Sequence, residues 1–134
     1  MKAQVAIEYI IITGIGLVFV LIAGKYLLGL YNDYSTQNRI FVAKNTVNKI
    51  GESVDLVSSQ GPPSRVKIKV TIPEGVEEIS FSNKTLVFKI KNKGGTTDVF
   101  YNTKSQIVGD IPKKSGQYYL SISSDDDHVN VTVV

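Results

Sequence analysis

The apolar residues of the first 60 positions are concentrated in one block near the N-terminus. From Tyr9 to Leu30 the chain reads YIIITGIGLVFVLIAGKYLLGL, and Lys25 is the only charged residue in this run. A helix of this length is long enough to cross about 30 Å of hydrocarbon. The pattern therefore predicts a membrane-spanning helix over residues 9–30.

Two other interpretations of this block fit the sequence less well. A helix buried in a soluble core is disfavoured, because the residues that follow the helical region are too few to surround it. A secretory signal peptide would begin with the basic Lys2 and end at a small residue near Ala23 or Gly24. Two features argue against such a signal peptide: the charged Glu8 precedes the apolar run, and the helical pattern continues past those small residues. They favour a helix that the mature protein retains.

A second helical pattern follows, with apolar residues at alternating intervals of three and four. Such spacing places them on one stripe of a helix, with polar residues opposite. No proline occurs before Pro62, so the sequence predicts one helix over 4–60, whose amphipathic part, 31–57, packs on a following domain. Gly61 and two prolines make 61–64 the linker. The packing stripe consists of Ile40, Ala43, Val47, Ile50, Val54 and Val57.

After the linker the hydrophobic period changes to two, which is typical of half-buried β-strands. Strands are predicted over 65–72, 78–82, 86–91, 98–101, 107–111, 118–123 and 129–133, with a two-residue turn at Asn83-Lys84 and an acidic turn at 125–127. The predicted fold class is α+β: a long N-terminal hydrophobic helix followed by an antiparallel β-sandwich-like head over 65–134.

Composition narrows the function classes. The apolar content of 43% and charged content of 20% exclude a disordered chain. The absence of cysteine excludes disulfides, thiolate metal sites and a catalytic thiol. A net charge of +3, scattered along the chain, gives no reason to expect nucleic acid as a partner.

The sequence offers little catalytic chemistry. His128 is the only histidine, and Gly94-Gly95 precede neither a helix nor a Lys-Ser pair, so they are turn residues. We expect no enzyme activity, no cofactor and no metal. Two Asn-X-Thr sequons, at Asn83 and Asn130, are possible N-glycosylation sites.

The N-terminal segment MKAQVAIEYIII resembles the start of an archaeal type IV pilin precursor with a class III signal peptide. In that family a short basic leader is cut before a Gln, with a Glu four residues beyond it and an apolar helix after it. Ala3, Gln4 and Glu8 match those places. Members often have Gly before the Gln and Ser two residues after it, where this chain has Ala3 and Ala6. Archaellins are a related family and the main competing assignment, but they have a different junction, with Gly shortly after the cut, and Gln4 favours a pilin.

The resemblance implies a structural subunit. A prepilin-type signal peptidase would remove the leader, residues 1–3, and a pilus assembly platform would move the helix from membrane lipid into a helical homopolymer, an extracellular pilus for adhesion. Glu8 would pair with the α-amino group freed at Gln4. The filament core would include Ile10, Ile11, Gly14, Leu17 and Leu21. The alternative is a minor pilin, a pseudopilin-like protein or a single-span surface protein that presents a β binding head.

We predict cleavage between Ala3 and Gln4 in the native cell, because a small residue, a Gln and the basic Lys2 precede the apolar run. Mass spectrometry of the cell-derived protein should give a chain that begins at Gln4. An intact Met1, or a start near Lys25, in extracellular material would contradict the assignment.

Overall fold

A computed structural model describes all residues from Met1 to Val134. One helix, α1 (Lys2–Gln60), precedes seven strands, which confirms the predicted α+β class. The strands are β1 (Arg65–Ile72), β2 (Val76–Ser82), β3 (Thr85–Asn92), β4 (Gly95–Asn102), β5 (Ile107–Gly109), β6 (Gly116–Ser124) and β7 (Val129–Val133).

The helix ends where the sequence supplies a glycine followed by prolines. Gly61 adopts a left-handed conformation with φ of 73°, and its amide donates to the Val57 carbonyl over 3.2 Å. Glycine enters this region without the penalty of a Cβ atom, so the last helical carbonyls gain partners as the chain turns away. The Ser64 hydroxyl also donates to the Val57 carbonyl, over 2.8 Å.

The strands form two sheets, one with the order β1-β6-β7-β5 and one with the order β2-β3-β4. The turn at Asn83-Lys84 joins β2 to β3, and Asn83 has a φ of 54°, a conformation that asparagine tolerates better than most residues. The acidic turn over 125–127 joins β6 to β7. The strand β2 begins earlier than predicted and has a register irregularity between Val76 and Glu78.

The larger sheet is mixed, whereas the sequence pattern suggested a purely antiparallel arrangement. The short strand β5 pairs with β7 in parallel, and β7 lies between β5 and β6. The chain reverses direction from β5 to β6 and again from β6 to β7, so β5 and β7 run the same way. Hydrophobic periodicity assigns residues to strands but carries no information about which strands become neighbours.

The chain consists of two compact units, an N-terminal unit, Met1–Thr36, and a C-terminal unit, Gln37–Val134. The C-terminal unit contains the two sheets and the last turns of α1. Its core is aliphatic, with one aromatic ring, and all its members are at most 3% exposed: Ala43, Val47, Ile50, Val54, Val57, Val70, Ile72, Leu86, Phe88, Ile90, Ile107, Ile111, Leu120, Ile122, Val129 and Val131.

Five of the six residues assigned to the packing stripe belong to this core, and Ile40 is half-buried. The buried face of the helix also includes Thr46 and Gly51, which the apolar spacing did not identify. Gly51 lies against the ring of Tyr101 on β4, so close that a Cβ atom on residue 51 would overlap the ring. A glycine is therefore needed for this approach of helix to sheet.

We predict that Gly51→Ala destabilises the C-terminal unit by about 1–3 kcal/mol, because the ring of Tyr101 must move. In a Tyr101→Ala background the same substitution should stabilise by about 0.5–1 kcal/mol, through the better helix propensity of alanine. Thermal unfolding of the full chain in detergent measures both. An equal loss of stability in the two backgrounds would show that the ring does not impose the glycine.

Candidate functional site

The residues of the predicted processing motif lie on the first turns of α1. Ala3, Gln4 and Glu8 are all helical and exposed. Gln4 and Glu8 are four residues apart, so they share one face of the helix at a rise of about 6 Å. No cationic side chain of the same chain lies within ion-pair distance of Glu8.

The N-terminal unit presents an apolar surface on every side. Its large apolar side chains from Val5 to Tyr34 are between 49% and 73% exposed. The predicted filament-core residues follow this rule, with Ile10 at 69%, Ile11 at 55%, Leu17 at 60% and Leu21 at 68% exposed. A contiguous exposed apolar surface of this extent is much larger than the apolar patches found on soluble monomeric proteins.

One notch interrupts this surface at Gly14. Apart from the local helix backbone, no atom lies within 4 Å of the place where a Cβ would stand, as is also the case at Gly16, Gly24 and Gly29. The notch is lined by Ile11, Ile15, Val18, Phe19 and Ile22. A concave apolar site next to a glycine is suited to receive a side chain from another helix, because the missing side chain allows close approach.

One polar side chain inside the apolar run is satisfied by the helix itself. The Thr13 hydroxyl donates to the Tyr9 carbonyl one turn earlier, over 2.8 Å. A hydroxyl bonded in this way carries little cost in hydrocarbon, where an unsatisfied donor costs several kcal/mol. By length and composition, α1 is the one helix of the chain that could cross a membrane.

Within the C-terminal unit, α1 lies along the open edge of the larger sheet. The strand β1 has β6 on one side only, so its other carbonyls lack strand partners. The Thr46 hydroxyl donates to the Thr71 carbonyl over 2.5 Å, and the Lys49 ammonium donates to the Lys69 carbonyl over 2.7 Å. The two side chains supply hydrogen-bond donors that a further strand would otherwise supply, and they block the pairing of this edge with another chain.

Asp55 is one of the polar residues of the amphipathic helix, which the sequence pattern assigns to the face opposite the packing stripe. It is half-buried, and its carboxylate accepts hydrogen bonds from the Tyr101 hydroxyl over 3.1 Å and from the Lys104 amide over 2.8 Å. Partial burial, together with the hydrogen bond to Asp55, raises the pKa of Tyr101 above its ordinary value. Asp55 thus ties the helix to β4 and to the loop after it. Periodicity cannot reveal this, because the partners lie 46 and 49 residues away.

The two sequons occupy different environments. Asn83 is exposed in the tight turn between β2 and β3, and its backbone carbonyl accepts from the Ile107 amide over 2.9 Å. Asn130 is half-buried on β7, an interior strand of the larger sheet. The turn is the more accessible position for a glycan, and modification at either residue stays a prediction.

His128 and the acidic turn form a small polar cluster. The nearest approach joins His128 Nε2 and an Asp125 carboxylate oxygen, at 3.9 Å. The Asp125 carboxylate also accepts from the Asp126 amide over 3.0 Å, as in ordinary polar turns. No three His, Cys, Asp or Glu side chains of the chain converge in a way that could hold a metal ion.

Comparison with protein-family models, with curated proteins and with solved structures finds no match to this chain.

We predict a stability loss at alkaline pH that depends on Tyr101. Its folded-state pKa is raised, so the unfolded chain ionises first, and the associated stability is present below about pH 10 and lost above it. Tyr101→Phe should remove this part of the pH dependence, whereas Tyr119→Phe, at a ring that is 57% exposed, should keep it. Melting temperatures of the full chain between about pH 8 and 11 measure the effect. Parallel pH profiles for wild type and Tyr101→Phe would contradict it.

Proposed function

We propose that this chain is a structural pilin, a subunit that polymerises through its N-terminal helix into an extracellular archaeal type IV pilus used for adhesion. The observation that supports the proposal best is an apolar helix surface exposed on every side, preceded by a leader-like motif with one carboxylate at its edge. The C-terminal unit, which we call the β-domain, would supply the surface that contacts the environment.

The physical argument begins with the apolar surface. A helix that is apolar all round is stable in lipid and also in a bundle of identical helices, because both remove it from water. Membrane lipid would hold the subunit before assembly, and copies of the chain would replace lipid in the filament. The notch at Gly14 gives neighbouring helices a place for close packing.

Glu8 makes the proposal specific. A carboxylate in an apolar filament core is costly unless it is paired. The partner we propose is the α-amino group of Gln4, which exists only after the leader has been removed. It could come from the same helix, one turn away, or from a neighbouring copy. Lys25 lies about 25 Å further along the helix and is too distant within the same chain.

This function needs partners of defined kinds. A prepilin-type signal peptidase would cut the leader on the cytoplasmic side, and a pilus assembly platform would extract the helix from the membrane. The role is structural, without catalysis or a cofactor. The subunit would reside in the cell membrane before assembly and in the extracellular filament afterwards.

We predict that Glu8→Ala, as the only copy of the gene, abolishes or sharply reduces filaments, while membrane insertion and folding of the β-domain stay intact. The reason is loss of the pairing that sets the register between neighbouring helices. Electron microscopy and quantification of sheared filaments provide the measurement. The matched control is Glu52→Ala, which removes a carboxylate from an exposed position later on the same helix.

Normal filaments with Glu8→Ala would remove the pairing mechanism but leave the pilin proposal standing. If the wild-type chain forms no helical polymer in cells or when overproduced, the proposal fails. A chain found only as a monomer in the membrane fraction would then be a single-span surface protein that presents its β-domain. A chain present in traces within filaments of another subunit would be a minor pilin.

A further inference from the structure

The two outer sheet faces of the C-terminal unit differ in charge. On β1, the residues that alternate with the inward-facing Val66, Ile68, Val70 and Ile72 belong to the outer face of the larger sheet. We call this outer face the cationic face, and it comprises Arg65, Lys67, Lys69, Thr71, Val108, Gln117, Tyr119, Ser121, Ser123, Asn130 and Thr132.

Strand register arranges these side chains in rows. Arg65 is opposite Ser123, which is opposite Asn130, and Lys67 is opposite Ser121, which is opposite Thr132. Lys69 is opposite Tyr119. Three cations therefore follow the β1 edge at intervals of about 7 Å, with hydroxyl and amide groups beside them.

The three β1 cations have no carboxylate partner within ion-pair distance. The other sheet contrasts with this, because Lys89 Nζ lies 3.4 Å from a Glu78 carboxylate oxygen and Lys89 is also opposite Asp98. The Lys49 ammonium, bonded to the Lys69 carbonyl, adds a further positive charge at the same edge. Four positive charges therefore lie along this edge, and the acidic turn over 125–127 lies beyond its Arg65 end. The potential is most positive around Lys67 and Lys69, where it attracts a polyanion.

The aromatic ring on this face is already in contact with a cation. Tyr119 is 57% exposed, and Lys69 Nζ lies 5.9 Å from the centre of its ring. Surfaces that bind single-stranded nucleic acid stack successive bases on several rings, whereas this face has a single ring. Its hydroxyl and amide groups are instead suited to hydrogen bonds with the hydroxyl groups of sugars.

We propose that the cationic face binds an acidic polysaccharide, with the β1 cations on its carboxylate or sulfate groups and the β6 and β7 side chains on its hydroxyl groups. This inference names the class of partner for adhesion. It rests on the proposed function in one respect, which is that a pilus would expose the face outside the cell. Binding by the single subunit needs no filament, so the two proposals succeed or fail separately.

The test uses the full chain in non-ionic detergent, produced in a bacterial host that adds no N-glycan at Asn130. Binding to immobilised dextran sulfate and polygalacturonate is compared with binding to neutral dextran at about 0.15 M salt. We expect binding to both acidic polymers and none to dextran. The triple variant Arg65→Gln, Lys67→Gln, Lys69→Gln should bind about ten-fold more weakly or worse.

The matched control is Lys84→Gln, Lys91→Gln, Lys104→Gln, which removes the same charge from exposed positions outside the face. It should retain binding, and melting temperatures verify that both triple variants fold. Lys67→Glu alone, a single surface change, should also weaken binding.

Three results would overturn the proposal: no binding by the wild-type chain, an equal loss in the control variant, or binding of a single-stranded DNA of matched charge as tight as that of the polysaccharides. The first would leave the face without a polyanion partner. The second would reduce the effect to net charge, and the third would favour a nucleic acid.

Discussion

The structure depends on one constraint, which is that the apolar surface of the N-terminal unit finds no cover within its own chain. Its side chains stay about half exposed or more from Val5 to Tyr34. Water is an unfavourable solvent for such a surface, and hydrocarbon or identical helices are favourable ones. Any function for this protein has to provide one of these environments, and a polymer that grows from a membrane provides both in turn.

The later turns of the same helix satisfy a different requirement. Between Gln37 and Gln60 the helix buries one stripe in the core of the C-terminal unit, and its polar side chains bond to the edge of β1 and to the loop after β4. Gly51 permits the approach of Tyr101, and Asp55 accepts from the hydroxyl of the same ring. Helix and sheets therefore form one core.

The two outer sheet faces of the C-terminal unit differ in how their charges are paired. On the smaller sheet, opposite charges pair across strands, and Phe100 is 62% exposed beside its neighbour Val87. On the larger sheet, three cations remain unpaired beside hydroxyl groups. Charges paired within the chain have little to offer a partner, whereas unpaired charges of one sign create a field at the surface. The larger sheet is for this reason the face on which we propose that a partner binds.

The sequence alone determined the elements. The run from Tyr9 to Leu30 required a helix in hydrocarbon or in a bundle, and period-two alternation located β1 and β7 at the bounds that the structure has. Such local patterns follow from how a helix or a strand divides its side chains between two faces. Tertiary structure decided the features that depend on distant contacts. It placed β7 between β5 and β6, required a glycine at residue 51, and made Asp55 a hydrogen-bond partner of Tyr101. It also aligned the three β1 cations with polar side chains of β6 and β7. These features arise from neighbours far apart along the chain, and hydrophobic period carries no signal of which segments will meet.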